Sequence, residues 1–278
     1  MITRSTQFPS VPEDTFLAAT ALYGKGNLYI RLGDALDAWV GGQLPVEANA
    51  TFKSHILPAL LTIFQYLEEL TNDQVLDAVR NRLDLKYILR LPMTAPTMTL
   101  KTICEYHRTQ FVQPEHQRIM QTLLDRLVED SYLSQENGQP LTAHKVLSTI
   151  CTMCQLDEVT KAMHRALETL AVMHPEWLRQ ITLPYWYDRY NRGSRLTPIS
   201  YSDPKWNARA IEIVGDIKYL LQAIDRLSDP LVADLPEIVR IRQIMGEQFL
   251  VCLYEPEQRG CFQRMVKKCN GCNLISIT

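Results

Sequence analysis

The 278-residue sequence has no unbroken apolar run of roughly eighteen residues, the least that a membrane-spanning helix needs. Its opening stretch, MITRSTQFPSVPEDTF, lacks the continuous apolar core of a secretory signal. Seven cysteines, an odd number and widely scattered, do not compose a disulfide framework and fit reduced thiols. These absences predict a soluble, cytoplasmic protein with no membrane partner. Strand-like alternation is scarce and no internal repeat is visible. A net charge of −2 excludes uniform coating of a polyanion but leaves room for a local basic patch. Known reaction signatures are missing too. Gly24 and Gly26 lack the remaining spacing of a phosphate loop, and Lys25 has no Ser or Thr after it. No His-Glu-x-x-His or Gly-x-Ser-x-Gly pattern occurs, so the dispersed histidines read as core or surface residues.

What is present is helix. The stretch 51–111 organises the chain as several short helices in quick succession. Ile56, Leu60, Ile63, Leu67 and Leu70 recur on one face at helical spacing. Thr71 and Asn72 then offer a cap, with Asp73 favoured in the new first turn by the helix dipole. The helix that follows, 73–82, buries Val75, Leu76 and Val79 and leaves Arg80 and Arg82 free. A short segment over 83–89 precedes the breakers Pro92 and Pro96. Thr97 or Thr99 caps the next helix, 100–111. It turns Leu100, Ile103, Cys104 and Phe111 inward and leaves Lys101, Tyr106, His107 and Arg108 on another face. Between residues 80 and 118 there are seven Lys or Arg against three Asp or Glu, a basic locality in a nearly neutral chain.

The flanking chain reads the same way. Residues 14–23 form a helix before the glycine turn, and 28–40 form another, with Leu32, Leu36 and Trp39 on one face and a stop at Gly41 and Gly42. Pro114 starts a helix with Ile119, Leu123, Leu127 and Val128 inward, and 134–140 is a loop. Residues 143–173 then trace a broad apolar stripe, and Pro175 suits a first helical turn. The aromatic- and arginine-rich run 183–206 could stack on bases or pack as an irregular connector. Helices over 207–227 and 235–253 complete the reading, the first with Ile211, Val214, Ile217, Leu220, Leu221 and Ile224 inward. The fold class is all-α: a multi-helix bundle with a helix-turn-helix-like N-terminal region. Three parts are expected, 1–133, 134–253 and an irregular cysteine-containing tail, 254–278.

The run ELTNDQVLDAVRNRLDLKYILRL, followed by a capped helix containing EYHRTQF, resembles the front end of bacterial insertion-sequence transposases, the transposase InsH N-terminal domain. The resemblance continues upstream in PEDTFLAATALYGKGNLYIRLGDAL. Downstream it takes in LDRLVEDSYLS and MHRALETLAVMHPEWLRQITLPYWYDRYNR, and it spans about 12–251. It implies a DDE transposase relative. Such enzymes hold two metal ions with three carboxylates on a ribonuclease-H-like fold and carry out in-line phosphoryl transfer. The first of those carboxylates would follow the loop 134–140, where Leu141, Thr142, Ala143, His144 and Lys145 stand instead. No Asp or Glu lies between Glu136 and Asp157, and Lys145 would repel a hard cation. The family's sheet and its other two carboxylates would fall beyond residue 278. No catalytic residue, metal or cofactor is therefore expected.

The resemblance implies DNA contact through Arg80, Arg82, Lys86, Lys101, Tyr106, His107 and Arg108, with most affinity from phosphates and only a few side chains reading bases. The expected partners are DNA at element ends and either a second copy or a full-length transposase, with the chain acting as repressor or accessory subunit. The alternatives are a helical interaction or oligomerisation module, using the stripes at 143–173 and 207–253, and a relic without selected function. Cys151-x-x-Cys154 and Cys269-x-x-Cys272, with Cys261 nearby, have zinc-ligand spacing. The two pairs are too far apart for a ribbon, the first sits in a helical stripe, and no fourth ligand completes the second.

Overall fold

A computed structural model describes residues 9–24, 26–40, 55–94, 98–133, 140–190 and 205–245. The described residues form thirteen helices and no strand, so the chain is all-α. No described helix is long and apolar enough to cross a membrane. The chain divides into two compact units, 1–150 and 151–278, with the division falling inside one long helix.

The first unit contains α1 (Glu13–Tyr23), α2 (Leu28–Val40), α3 (Leu57–Leu67), α4 (Asn72–Asn81), α5 (Leu83–Ile88), α6 (Leu100–Val112) and α7 (Pro114–Glu129). The α3 helix is buried on every side, from Leu57 through Gln65, instead of along the single stripe its spacing suggests. It is apolar nearly all round, and α6 and α7 both pack on it. The α4 helix opens with a capping box: the Thr71 side chain accepts from Gln74 N, and the Gln74 side chain accepts from Thr71 N at 2.8 Å. For α6 the cap is Thr99, whose hydroxyl accepts from Thr102 N at 3.2 Å. Three helix ends in this unit turn through positive φ without glycine, at Glu69, Arg90 and Ser131. Each places the next N–H on a carbonyl of the last turn, as in Leu91 N to Lys86 O at 2.9 Å.

Six residues long, α5 is nonetheless the hub on which α1, α2 and α4 pack. Its polar groups are all engaged. The Tyr87 hydroxyl donates to Asp34 Oδ1 at 2.5 Å, Lys86 Nζ donates to Met93 O at 2.6 Å, and just past the helix Arg90 Nη2 donates to Gly33 O at 2.7 Å. Gly33 is where α2 meets this hub most closely: a Cβ there would lie 2.7 Å from the Tyr87 ring. That ring is held by Asp34 and is 2% exposed, so it cannot swing aside. Gly33→Ala is expected to destabilise the first unit by about 1–3 kcal/mol through overpacking, read from denaturant unfolding. An unchanged midpoint would mean that the ring moves freely.

The long α8 (Ala143–Met173) matches its expected limits. Its start is fixed by Thr142, whose hydroxyl accepts from Lys145 N at 3.2 Å, and by Gln121 of α7, whose Oε1 accepts from Ala143 N at 2.8 Å. The second unit adds α9 (Pro175–Ile181), α10 (Trp186–Tyr190), α11 (Lys205–Leu227), α12 (Pro230–Ala233) and α13 (Pro236–Ile244). Pro175 is the first residue of α9, as expected. One core joins Met153, Val159, Met163 and Leu170 of α8 to Ile213, Val214, Ile217 and Leu220 of α11, with Ile238 and Ile241 of α13. On α11 the inward set differs from its predicted one: Ile213 is buried, whereas Ile211 is 48% exposed. The stop at Gly41 and Gly42, the loop 134–139, the run 191–204 and the tail 254–278 lie outside the described residues.

Candidate nucleic-acid interface and the buried ionic clusters

The seven residues expected to meet DNA divide by exposure. Arg80, on α4, is solvent-facing and 3.8 Å from Asp77, one helical turn away. Lys101 is exposed on α6. Arg108 keeps a side-chain exposure of 40% while pairing with Glu105 at 2.9 Å, a surface ion pair that constrains it little. Tyr106 is half-buried, and burial raises its hydroxyl pKa. The α4 and α6 helices that carry these four residues pack on each other. Asn72 of α4 also reaches Cys104 of α6, Nδ2 to Sγ, at 3.9 Å.

Of the other three, His107 and Lys86 are buried and Arg82 is half-buried in ion pairs, which corrects the expectation that Arg82 is free and that His107 lies on an outer face. His107 is buried, and its Nε2 lies 2.9 Å from Gln65 Oε1 on α3. The inward face of α6 is Ile103, His107 and Gln110, spaced one turn apart, while Leu100 and Cys104 face solvent. Ile103 is inward as expected, whereas Leu100 and Cys104 face out and the polar His107 and Gln110 take their place; the side chain of Phe111 lies outside the described residues. Burial alone lowers the His107 pKa to about 4, so the ring is neutral at pH 7. Lys86 is buried and bound to Met93 O.

Arg82 is the centre of an ionic cluster. It pairs with Glu68, and its Nε and Nη2 donate to the two oxygens of Asp84 at 3.1 and 2.9 Å. Asp84 also accepts from Leu85 N at 2.9 Å. The Tyr29 hydroxyl donates to Glu68, and the guanidinium lies 5.3 Å from the centre of the Tyr29 ring. Burial opposes the charge of Arg82, but its hydrogen bonds to Asp84 and Glu68 outweigh that and raise its pKa. Burial, and then Glu68, raises the Tyr29 pKa above its ordinary value. The cluster locks α2, the end of α3 and the start of α5 together, a structural task that leaves little of Arg82 for a ligand.

A second cluster, in the second unit, was not legible in the sequence. Asp216 of α11, 4% exposed, accepts from the Tyr190 hydroxyl at 2.8 Å and pairs with Arg189 of α10. Arg189 also donates to Glu212 at 2.8 Å and lies 4.7 Å from the centre of the Tyr185 ring. Burial, with the Asp216 charge next, raises the Tyr190 pKa. The Tyr190 carbonyl accepts from His164 of α8 at 2.5 Å, so α10 is bolted to two helices. In the described parts of the aromatic run, residues 183–190 and 205–206, Trp186, Tyr190 and Trp206 pack inward while Tyr185 and Tyr187 are exposed. The cluster's signal was present as Arg and Tyr one residue apart, but their partner, Asp216, sits 26 residues on from Tyr190.

Thr142, His144 and Lys145, at the place where the resemblance expects a metal-binding Asp, are exposed at the first turn of α8. Cys151 and Cys154 are half-buried on the same helix and form no disulfide. Among the described residues no group of three His, Cys, Asp or Glu side chains is placed to hold a metal ion. Cys261, Cys269 and Cys272 lie outside them. Comparison with known protein families, with curated proteins and with solved structures finds no match for the chain.

Proposed function

We propose that the chain is a transposase-derived DNA-binding protein that binds insertion-element DNA without cutting or joining it. It acts by competing with a full-length transposase or by joining it as a subunit. The observation that carries this reading is the outward placement of Arg80, Lys101 and Arg108 on two capped helices that pack on each other. Cations so fixed suit phosphate contact, which positions a helix before any base is read. The sequence resemblance over 12–251 supplies the kind of DNA, and the stretch without Asp or Glu between Glu136 and Asp157 supplies the lack of chemistry. The test titrates the full chain with duplexes cut from its own flanking genomic sequence and with scrambled duplexes, in Mg²⁺ or Mn²⁺. Preferential binding of terminal repeats with intact strands supports the reading. Metal-dependent nicking, or equal indifference to both duplexes, removes it.

A second reading, self-association, is favoured by α1. It exposes Phe16 (45%), Leu17 (59%) and Leu22 (65%), and no charged residue follows Asp14 within the helix. Exposed large apolar residues can mark contact surfaces. By contrast, Met153 to Leu170 of α8 and, apart from Ile211, the apolar stripe of α11 pack in the second unit's own core. The double substitution Leu17→Glu with Leu22→Glu is expected to lower a concentration-dependent sedimentation mass to that of one chain. A wild-type mass of one chain at every concentration excludes self-association.

A further inference from the structure

The polar side chains of α3 are Thr62, Gln65 and Tyr66. The Thr62 hydroxyl donates back to Pro58 O, one turn earlier, at 2.8 Å. Gln65 is fully buried and reaches two other helices instead. Its Nε2 donates to Oδ1 of Asn72, the first residue of α4, at 2.9 Å. Its Oε1 lies 2.9 Å from Nε2 of His107 on α6, and because an amide oxygen only accepts, His107 is the donor. Asn72 in turn reaches Cys104 of α6. One buried amide therefore links the two helices that carry Arg80, Lys101 and Arg108.

Such a link selects an arrangement more than it adds attraction. A buried amide is tolerated because its hydrogen bonds are made, and those bonds are directional. On α6, direction and hydrophobicity disagree. Leu100, Ile103 and Cys104 offer an apolar face, yet Leu100 is 45% exposed, Cys104 is exposed, and the buried face is Ile103, His107 and Gln110. At about 100° per residue, the two faces are centred roughly 50° apart around the helix. A roll of that size would carry the His107 ring about 5 Å from Gln65, beyond hydrogen-bond reach. The bond and the roll exclude each other. Lys101 and Arg108, seven residues apart, lie on one stripe and would turn together.

We propose that Gln65 is the positioning residue of the cationic face. Its two bonds hold α4 and α6 in the rotation that turns Arg80, Lys101 and Arg108 outward, although the amide itself reaches no solvent. The consequence for binding rests on the DNA-binding reading; the hold on α6 does not.

The experiment compares the full chain with Gln65→Met, which keeps the length of the side chain and removes both bonds. Once α6 is released toward its apolar face, alkylation of Cys104 by iodoacetamide, read by peptide mass spectrometry, is expected to slow several-fold. A loss of stability alone would speed it, because opening exposes the thiol further. In duplex binding at temperatures where the variant is folded, the slope of log affinity against log salt is expected to become shallower by about 0.9, one lost phosphate contact. Should Gln65→Met fail to fold, Asn72→Ala, at a half-buried position, cuts the link to α4 alone, and the same shallower slope is expected. In a folded Gln65→Met chain, Cys104 alkylation that is unchanged or faster, or a slope equal to that of the wild type, overturns the positioning role; so does a wild-type slope in Asn72→Ala. A wild type that binds no DNA removes the reading beneath it, and the Cys104 rates then decide the hold on α6 alone.

Discussion

Replacing Asp216 by Ala is expected to destabilise the second unit by about 3–5 kcal/mol, the loss typical when one member of a buried ion pair is removed. The substitution leaves Arg189, with a side-chain exposure of 10%, facing Glu212 alone, and strips the buried Tyr190 hydroxyl of its acceptor. Most of the cost comes from the stranded partners and little from the lost attraction. The double variant Asp216→Leu with Arg189→Met should therefore recover much of what Asp216→Ala loses. Three of the four tryptophans, Trp177, Trp186 and Trp206, belong to this unit, so fluorescence during denaturant unfolding reports on it selectively. Equal losses in the single and double variants would show that the cluster stabilises by attraction after all.

Arg82→Ala is expected to cost the first unit about 3 kcal/mol, at the low end for a buried pair because the Arg82 side chain is 31% exposed. The carboxylate it abandons, Asp84, has a side-chain exposure of only 5% and keeps Leu85 N as its nearest donor, with Asn27 Nδ2 more distant at 3.4 Å. The resemblance placed Arg82 among the DNA contacts, and the two roles predict different behaviour. A structural Arg82 gives a variant whose unfolding midpoint falls, measured by circular dichroism, while its salt dependence of DNA binding stays that of the wild type at temperatures where it is folded. A variant with an unchanged midpoint and weakened binding would return Arg82 to the interface.

The helical class, the limits of α8 and the caps at Thr71 and Thr99 were legible because they rest on local chemistry: apolar spacing, side-chain acceptors and proline. Where helices end was harder to read. Glu69, Arg90, Ser131 and Ser228 all adopt positive φ at helix ends, and none carries the glycine signal. Buried polar residues were the larger blind spot. His107, Lys86, Asp84 and Asp216 look like surface residues by type; near neighbours satisfy Asp84 and Lys86, whereas His107 and Asp216 meet partners distant in sequence. His107 depends on Gln65 and Tyr190 on Asp216, pairs set by helix packing that periodicity does not encode. The basic locality between 80 and 118 was visible as a count of charges. Which members face water depended on the rotation of α6, where Ile103, His107 and Gln110 outcompeted Leu100 and Cys104 for the interior.

DNA binding by the outward cations is tested most directly by a salt series on the full chain, beside a variant with Arg80, Lys101 and Arg108 all changed to Ala. Each phosphate contact adds about 0.9 to the slope of log affinity against log salt. The triple variant is therefore expected to bind more weakly at low salt, with a slope shallower by roughly 2–3. Unfolding midpoints should match, because the three side chains reach solvent and make only surface ion pairs. Identical affinity and slope in the two proteins, or no binding by the wild type at any salt, would contradict a DNA-binding role for this face.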